Sequence, residues 1–414
     1  MKIEKPRGTR DFPIEEMSER DYVENAVEGV FKAYGYGKIK TPTFEHMDLF
    51  TLKSGDEIST HMYAFEDKKG RKMCLRPEET ASVCRMFSET LRTLPKPLKL
   101  YYFDSMFRYE EPQKGRYREF WQLGLELIGP KGPESDAEVI SVAYDSLKKL
   151  DCTFRLEIGH LGIVKGLLAD KNIPEDMQRK VISCIDKNDS EGLRKLTDEK
   201  TLFDLIALKG GKEAIAKAEE TLQDSKKAIA ALSELKEILE YLDAAGVEYT
   251  LNLGVARGLE YYTGMVFEIR VPDLGAQSQI CGGGRYDNLI ELFSGMSVPA
   301  VGFAFGFDRV TEALEMQGKK KTEKRQMIIV APVSPDMKKE AVRIASDLRK
   351  TRSVEYDLMD RKLGKILEYA GEKGASHVVI VGKKDHAGGM VTVRDMTSGE
   401  QKTVRIKEIE DALK

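Results

Sequence analysis

Cysteine is scarce and unpatterned in this chain. Its five cysteines, Cys74, Cys84, Cys152, Cys184 and Cys281, are odd in number, far apart and never spaced C-x-x-C, which excludes a disulfide framework and a zinc knuckle. Histidine is equally rare, with five residues and no H-E-x-x-H spacing. Walker A and G-x-G-x-x-G patterns are missing, so any nucleotide is bound without a P-loop or a Rossmann turn. No apolar run reaches the roughly 18 residues of a membrane span, and the N-terminal stretch carries charges where a signal peptide would carry an apolar core. The net charge of −3 provides no overall cationic field, so a polyanion must be met locally. These absences lead us to expect a cytoplasmic globular protein with no membrane partner. What is present agrees: 414 residues, 41% hydrophobic and 33% charged, suffice for about two or three domains.

Along the chain, Val23, Val27, Val30 and Tyr34 recur at helical spacing, which predicts a helix over 14–34 stopped by Gly35 and Gly37. Residues 39–49 read as extended, and Pro42 within them assigns that segment to an edge or interface. Residues 99–108 and 120–128 read as long antiparallel strands. From 163 to 246 the texture turns to Ala, Leu, Lys and Glu at helical spacing, as in Ile215, Ala218, Leu222, Ile229, Leu232 and Leu239, which predicts an inserted helical module. Strand-like text resumes at 249–253 and 265–271, followed by a predicted turn at Gly282-Gly283-Gly284, a helix over 286–293 and an apolar segment over 298–307. A lysine-rich linker near 318–325 precedes alternating strands and helices, a small α/β domain. Residues 325–414 hold 18 Lys or Arg against 14 Asp or Glu, a balance of +4 that favours nucleic acid as partner.

Three constellations carry chemistry. In Phe107-Arg108-Tyr109-Glu110-Glu111-Pro112-Gln113-Lys114-Gly115-Arg116-Tyr117-Arg118-Glu119-Phe120, two strands flank a cationic loop, and Arg108, Arg116 and Arg118 are expected to form a guanidinium fork for a phosphate. A solvated hairpin with surface ion pairs is the alternative. In Ala256-Arg257-Gly258-Leu259-Glu260-Tyr261-Tyr262-Thr263-Gly264, strand alternation would let only one tyrosine share the arginine's side; aromatic core packing competes. Gly302-Phe303-Ala304-Phe305-Gly306-Phe307-Asp308-Arg309 alternates small and aromatic residues and ends in an acid and an arginine, suited to close approach of a ligand plane, with tight sheet packing as the alternative.

Together these resemble the class II aminoacyl-tRNA synthetases: the segment around Arg108 is similar to motif 2, Gly302 to Arg309 to motif 3, and the stretch around Pro42 to motif 1. Arg76-Pro77-Glu78-Glu79-Thr80, Arg257-Gly258-Leu259-Glu260-Tyr261-Tyr262, Gly283-Gly284-Arg285-Tyr286-Asp287 and Pro6-Arg7-Gly8-Thr9-Arg10-Asp11-Phe12 narrow the resemblance to the histidyl-tRNA synthetase family.

That resemblance implies an α+β fold. A class II catalytic domain with a six- or seven-stranded antiparallel sheet covers 1–162 and 247–317, a helical insertion covers 163–246, and an α/β anticodon-binding domain covers 325–414. It implies a homodimer that joins L-histidine to ATP as histidyl-adenylate and moves it to the 3′ end of tRNA(His), with Mg2+ on the pyrophosphate. By the same resemblance Arg108 and Arg257 bracket the carboxylate and α-phosphate as catalytic residues, and the nucleotide is held by Arg108, Glu110, Arg116 and Arg309. Glu78, Thr80 and Gln122 take the α-ammonium, Glu126 and Tyr262 read the imidazole, and Tyr261 and Tyr286 wall the pocket. The loop 111–117 faces the acceptor stem. Glu79, Glu111 and Trp121 depart from frequent family residues and group the chain with the archaeal and eukaryotic branch. The competing functions are a catalytically inactive, synthetase-like regulatory subunit or tRNA sensor, and a class II synthetase for another amino acid.

Overall fold

The computed structural model describes every residue except 1–2, 55–59, 113–114, 256–260, 323–326 and 414, and leaves out the side chains of 53–54 and 276–277. The chain forms two compact units, Met1–Thr322 and Glu323–Lys414.

In the first unit the strands are β1 (Gly37–Lys38), β2 (Phe44–His46), β3 (Ala64–Glu66), β4 (Lys72–Leu75), β5 (Leu98–Phe107) and β6 (Glu119–Ile128). They are followed by β7 (Arg155–His160), β8 (Lys209–Gly210), β9 (Thr250–Asn252), β10 (Met265–Arg270), β11 (Gln279–Arg285) and β12 (Ala300–Gly306). Nine of them make one sheet in the order β1-β5-β6-β12-β11-β10-β7-β9-β8, and β2-β4-β3 make a small second sheet. The run from β5 to β7 is antiparallel throughout. The sheet is thus wider than the six or seven strands expected, because β1 adds in parallel at one edge and β9, carrying β8, adds at the other.

The first helix, Ile14–Ala33, buries Val23, Val27 and Phe31 and ends where Gly35 takes φ +84°. Pro42 lies between β1 and β2, so the single extended segment expected over 39–49 holds one short edge strand, β2, and the start of a helix at Asp48, while β1 precedes it. Helices occupy most of 161–244, and Ala218, Leu222, Leu232 and Leu239 join the same apolar core as the sheet.

Gly282-Gly283-Gly284 are not a turn. They lie inside β11, paired with Glu268, Phe267 and Val266 on one side and Ala304, Phe303 and Gly302 on the other. A Cβ on Gly283 would meet the Gly302 carbonyl and Phe303 Cβ, each at 2.5 Å, so the glycine is there for interstrand clearance. Gly283→Ala is expected to cost about 1–3 kcal/mol of stability, measured by urea denaturation. A loss within error of zero would show that the strands yield freely. The following helix begins at Leu289, later than expected, after Tyr286 has entered the site.

In the second unit β13 (Met327–Pro332) pairs in parallel with β14 (Ser353–Tyr356) and β15 (His377–Val381), giving the expected α/β pattern. An antiparallel hairpin, β16 (Met390–Asp395) and β17 (Gln401–Arg405), extends that sheet. No helix among the described residues is long and apolar enough to cross a membrane.

Candidate active site

Strand alternation builds the site floor. On β12 the odd-numbered Phe303 and Phe305 turn into the core, where Phe303 packs against Phe31, Phe267 and Phe305 with ring centroids 5.0–6.0 Å apart. Gly302, Ala304 and Gly306 therefore share the opposite face, opposite Glu126, Gly124 and Gln122 of β6. A Cβ at Gly302 would lie 1.9 Å from Glu126 Oε2, so that glycine makes room for a protein carboxylate as well as for a ligand.

Over this floor lie two adjoining cavities. The first, about 250 Å³, is lined by Glu78, Thr80, Glu126, Tyr261, Tyr262 and Tyr286. Arg108, Glu110 and Gln122 line it as well and also line the second, a more open cleft of about 280 Å³ that holds Arg116 and Arg309. Apart from Arg118, every site residue named from the sequence that falls among the described residues is at one or both cavities. Arg257 lies outside the described residues.

In the smaller cavity, Thr80 Oγ1 donates to Glu126 Oε1 at 2.9 Å and the Tyr286 hydroxyl donates to Glu126 Oε2. The Glu78 carboxylate accepts the backbone N–H groups of Thr80 and Ala81 at 2.9 and 3.1 Å, which fixes it at the start of the helix Thr80–Met86. Burial pushes Tyr261 and Tyr286 well above the usual phenol range, so both present neutral O–H groups. Tyr261 and Tyr262 both face the cavity, with ring centroids 4.6 Å apart; alternation does not separate them because neither is in a strand. Lys165, unremarkable in the sequence, donates to the Tyr262 carbonyl at 2.7 Å and ties that segment to the helix Leu161–Asp170.

In the larger cleft, Arg309 donates to the carbonyls of Gln279 at 2.8 Å and Gly115 at 3.3 Å. Burial, together with the neighbouring guanidiniums of Arg116 and Arg108, lowers its pKa. Arg118 is not in that cluster. Its guanidinium donates to the Glu110 carbonyl at 3.1 Å and stacks on Tyr109 at 4.4 Å, so the fork consists of Arg108, Arg116 and Arg309. The loop is kinked, with Gly115 at φ +73°, and a simple strand alternation does not carry from Arg116 to Arg118. His61, Tyr102 and Cys281 also line the cavities. None was named as a site residue from the sequence, although Tyr102 lies on β5 ahead of Arg108 and Cys281 lies on β11 directly before Gly282.

Two buried networks brace the floor. Arg285 pairs with Asp136 at 2.8 Å and donates to Ser135 at 2.7 Å, and burial pushes Asp136 up to about 6. Arg76 pairs with Asp104 at 2.8 Å and Glu79 at 3.2 Å, while Thr41 Oγ1 donates to Glu79 at 2.5 Å. Burial dominates at Glu79 and raises its carboxyl to about 7, above its ordinary 4.5. The folded state thus binds this proton more tightly than the unfolded chain. Its contribution to stability is full below 4.5 and is lost as pH rises through about 7, with Asp136 adding the same sign. Glu79→Gln, which leaves Arg76 paired with Asp104, is expected to flatten part of the decline in urea midpoint between pH 4.5 and 7. Parallel declines in the two proteins would place the titration elsewhere.

Comparison with known proteins agrees with this geometry. A sequence profile described as histidyl-tRNA synthetase matches residues 8–310, and one described as an anticodon binding domain matches residues 327–414. The histidine–tRNA ligase of Methanocaldococcus jannaschii is 47% identical over 420 residues, covering 98% of each protein. That of a strain of Methanococcus maripaludis is 46% identical over 423 residues, covering 98% of this chain and 99% of the relative. Among solved structures, apo S. aureus histidyl-tRNA synthetase matches with a TM-score of 0.75 at 28% identity, covering 100% of each chain. With both profiles in order along the sequence and relatives matched from end to end, the chain belongs to the histidyl-tRNA synthetase family.

Proposed function

We propose that this chain joins L-histidine to ATP as histidyl-adenylate and then transfers the histidyl group to the 3′ end of tRNA(His). One observation carries the reading: a small cavity of hydroxyls and carboxylates and a cleft of guanidiniums meet at a seam lined by Arg108, Glu110 and Gln122. At that seam a histidine carboxylate oxygen attacks the α-phosphorus in line, and the new P–O bond forms as the bond to pyrophosphate breaks. Both reactants are anionic, so the protein's task is to orient them and neutralise charge. In this reading Arg108 and Arg257 meet the carboxylate and α-phosphate. Arg116 and Arg309 take the outer phosphates, with Arg309 also over the adenine. Glu78, Thr80 and Gln122 hold the ammonium, whose three donors need acceptors. Glu126 and Tyr262 read the imidazole between the walls of Tyr261 and Tyr286.

No three His, Cys, Asp or Glu side chains converge as a metal cage among the described residues. The carboxylates of the nucleotide cleft are Glu110 and Asp308, and Asp308 is held by two arginines. The donor set therefore fits a magnesium ion delivered on the nucleotide, with Glu110 as its protein ligand. Such an ion would neutralise and orient the pyrophosphate.

Residues 1–162 and 247–317 then form the catalytic part, 163–246 the helical insertion and 325–414 the anticodon-binding part. The enzyme works in the cytoplasm as a homodimer; the exposed, edge-to-face pair Phe44 and Phe65 on the small sheet beside Pro42 supports an interface there. The test is aminoacylation of a tRNA(His) transcript with labelled histidine. Charging that requires ATP and magnesium is the expected result. A folded protein that neither activates histidine nor charges the tRNA would instead be a regulatory subunit or tRNA sensor.

A further inference from the structure

Behind the nucleotide cleft, on the side away from the fork, the N-terminal segment grips the same loop and helix that supply Arg116 and Arg309. Arg10 Nη2 and Arg20 Nη1 both donate to Asp308 Oδ1, at 2.6 and 2.7 Å, while the Trp121 backbone N–H donates to Oδ2 at 2.9 Å. Arg10 also lies 4.0 Å over the Tyr117 ring, and the Arg118 N–H donates to the Gly8 carbonyl at 2.8 Å. Arg20 is buried against the rings of Phe12 and Phe307, at 4.2 and 4.8 Å, and its Nη2 makes no hydrogen bond. A buried guanidinium with an unsatisfied nitrogen is costly. Local stability alone is a poor explanation for two arginines on one carboxylate.

Asp308 is the chain neighbour of Arg309, and both line the nucleotide cleft. A carboxylate there that turned toward Arg309 would neutralise a guanidinium intended for phosphate. Arg10 and Arg20 hold it on the N-terminal side, where Arg10 also pairs with Glu16 at 3.8 Å, and so keep it from Arg309. Arg10, through Tyr117, also sets the loop whose Gly115 carbonyl receives Arg309.

We infer that Arg10 and Arg20 are positioning residues of the nucleotide site, acting through Asp308 and Tyr117 to set Arg309 and Arg116 for the ATP phosphates. The inference rests on the proposed activity only for its substrate, and it is tested by binding as well as by turnover. Arg10 is the part-exposed member of the pair, so Arg10→Gln is the variant least expected to disturb folding. Isothermal titration with magnesium ATP, followed in parallel by fluorescence of Trp121, the single tryptophan of the chain, measures the affinity directly. Arg10→Gln is expected to weaken ATP roughly 3–30-fold, with Arg10→Lys intermediate, while the KM for histidine stays within about twofold and the melting temperature is little changed. The inference is overturned if ATP affinity is unaltered, if ATP and histidine weaken together, or if Lys and Gln behave alike. A wild-type protein that binds ATP but does not activate histidine would contradict the proposed function. The effect of Arg10→Gln on that binding would still decide the inference.

Discussion

Arg108→Ala is expected to lower histidine-dependent exchange of pyrophosphate into ATP by about 10²–10³-fold, the loss seen when one donor aimed at developing charge is removed. Arg108 follows directly on β5 and lines both cavities. Its Nε donates to the Pro77 carbonyl at 3.0 Å, and its guanidinium stacks at 5.0 Å on Phe120, so it is oriented before any ligand arrives. Such preorganisation makes a charge useful in the transition state, because no reorganisation is needed as the in-line displacement proceeds. Arg108→Lys keeps the charge but loses the planar fork, and should recover only part of the rate. The measurement is kcat for exchange, accompanied by a thermal melt to establish folding. A loss smaller than about tenfold in a folded Arg108→Ala protein would remove it from the displacement step.

Glu126→Gln should act on the other substrate. The carboxylate accepts hydroxyls from Thr80 and Tyr286, one on each oxygen, and is 1% exposed, so the amide is close to isosteric but brings a donor where the surroundings supply donors. A hydrogen bond to a charged group contributes about 1.5–3 kcal/mol, so the KM for histidine should rise roughly 10–100-fold while the KM for ATP barely moves. Rejection of analogues lacking the imidazole N–H should weaken as well, since selectivity in such a pocket comes from a polar group left unsatisfied by the wrong ligand. An unchanged KM for histidine, or an equal rise in both KM values, would show that Glu126 holds the pocket together without reading the ligand.

The alternation of Gly302, Ala304 and Gly306 with Phe303, Phe305 and Phe307 was legible because a strand has period two, and it divides ligand floor from core in the structure. Gln122 and Glu126, four positions apart on β6, line one cavity by the same rule. The rule failed where the chain is not a strand: Tyr261 and Tyr262 turn to the same cavity, and Arg118 leaves the fork at a kinked loop. It was also missed where a strand is made of glycine, since Gly282–Gly284 have no side chains to show alternation and read as a turn, yet they provide clearance in the middle of the sheet. Asp308 lies in the first turn of the helix Phe307–Met316. Its two arginines come from almost three hundred residues away, a contact that no local pattern announces. In the hairpin β16–β17 only Val391 and Val393 are buried and β17 is largely polar, so its period-two signal in the sequence is weak.

The most direct test of the central claim, that these two cavities select histidine and join it to ATP, is pyrophosphate exchange run separately with each of the twenty amino acids, with magnesium and without tRNA. Exchange with histidine alone is the predicted result. Exchange with a different amino acid, or with none from a folded protein that binds ATP, would contradict it.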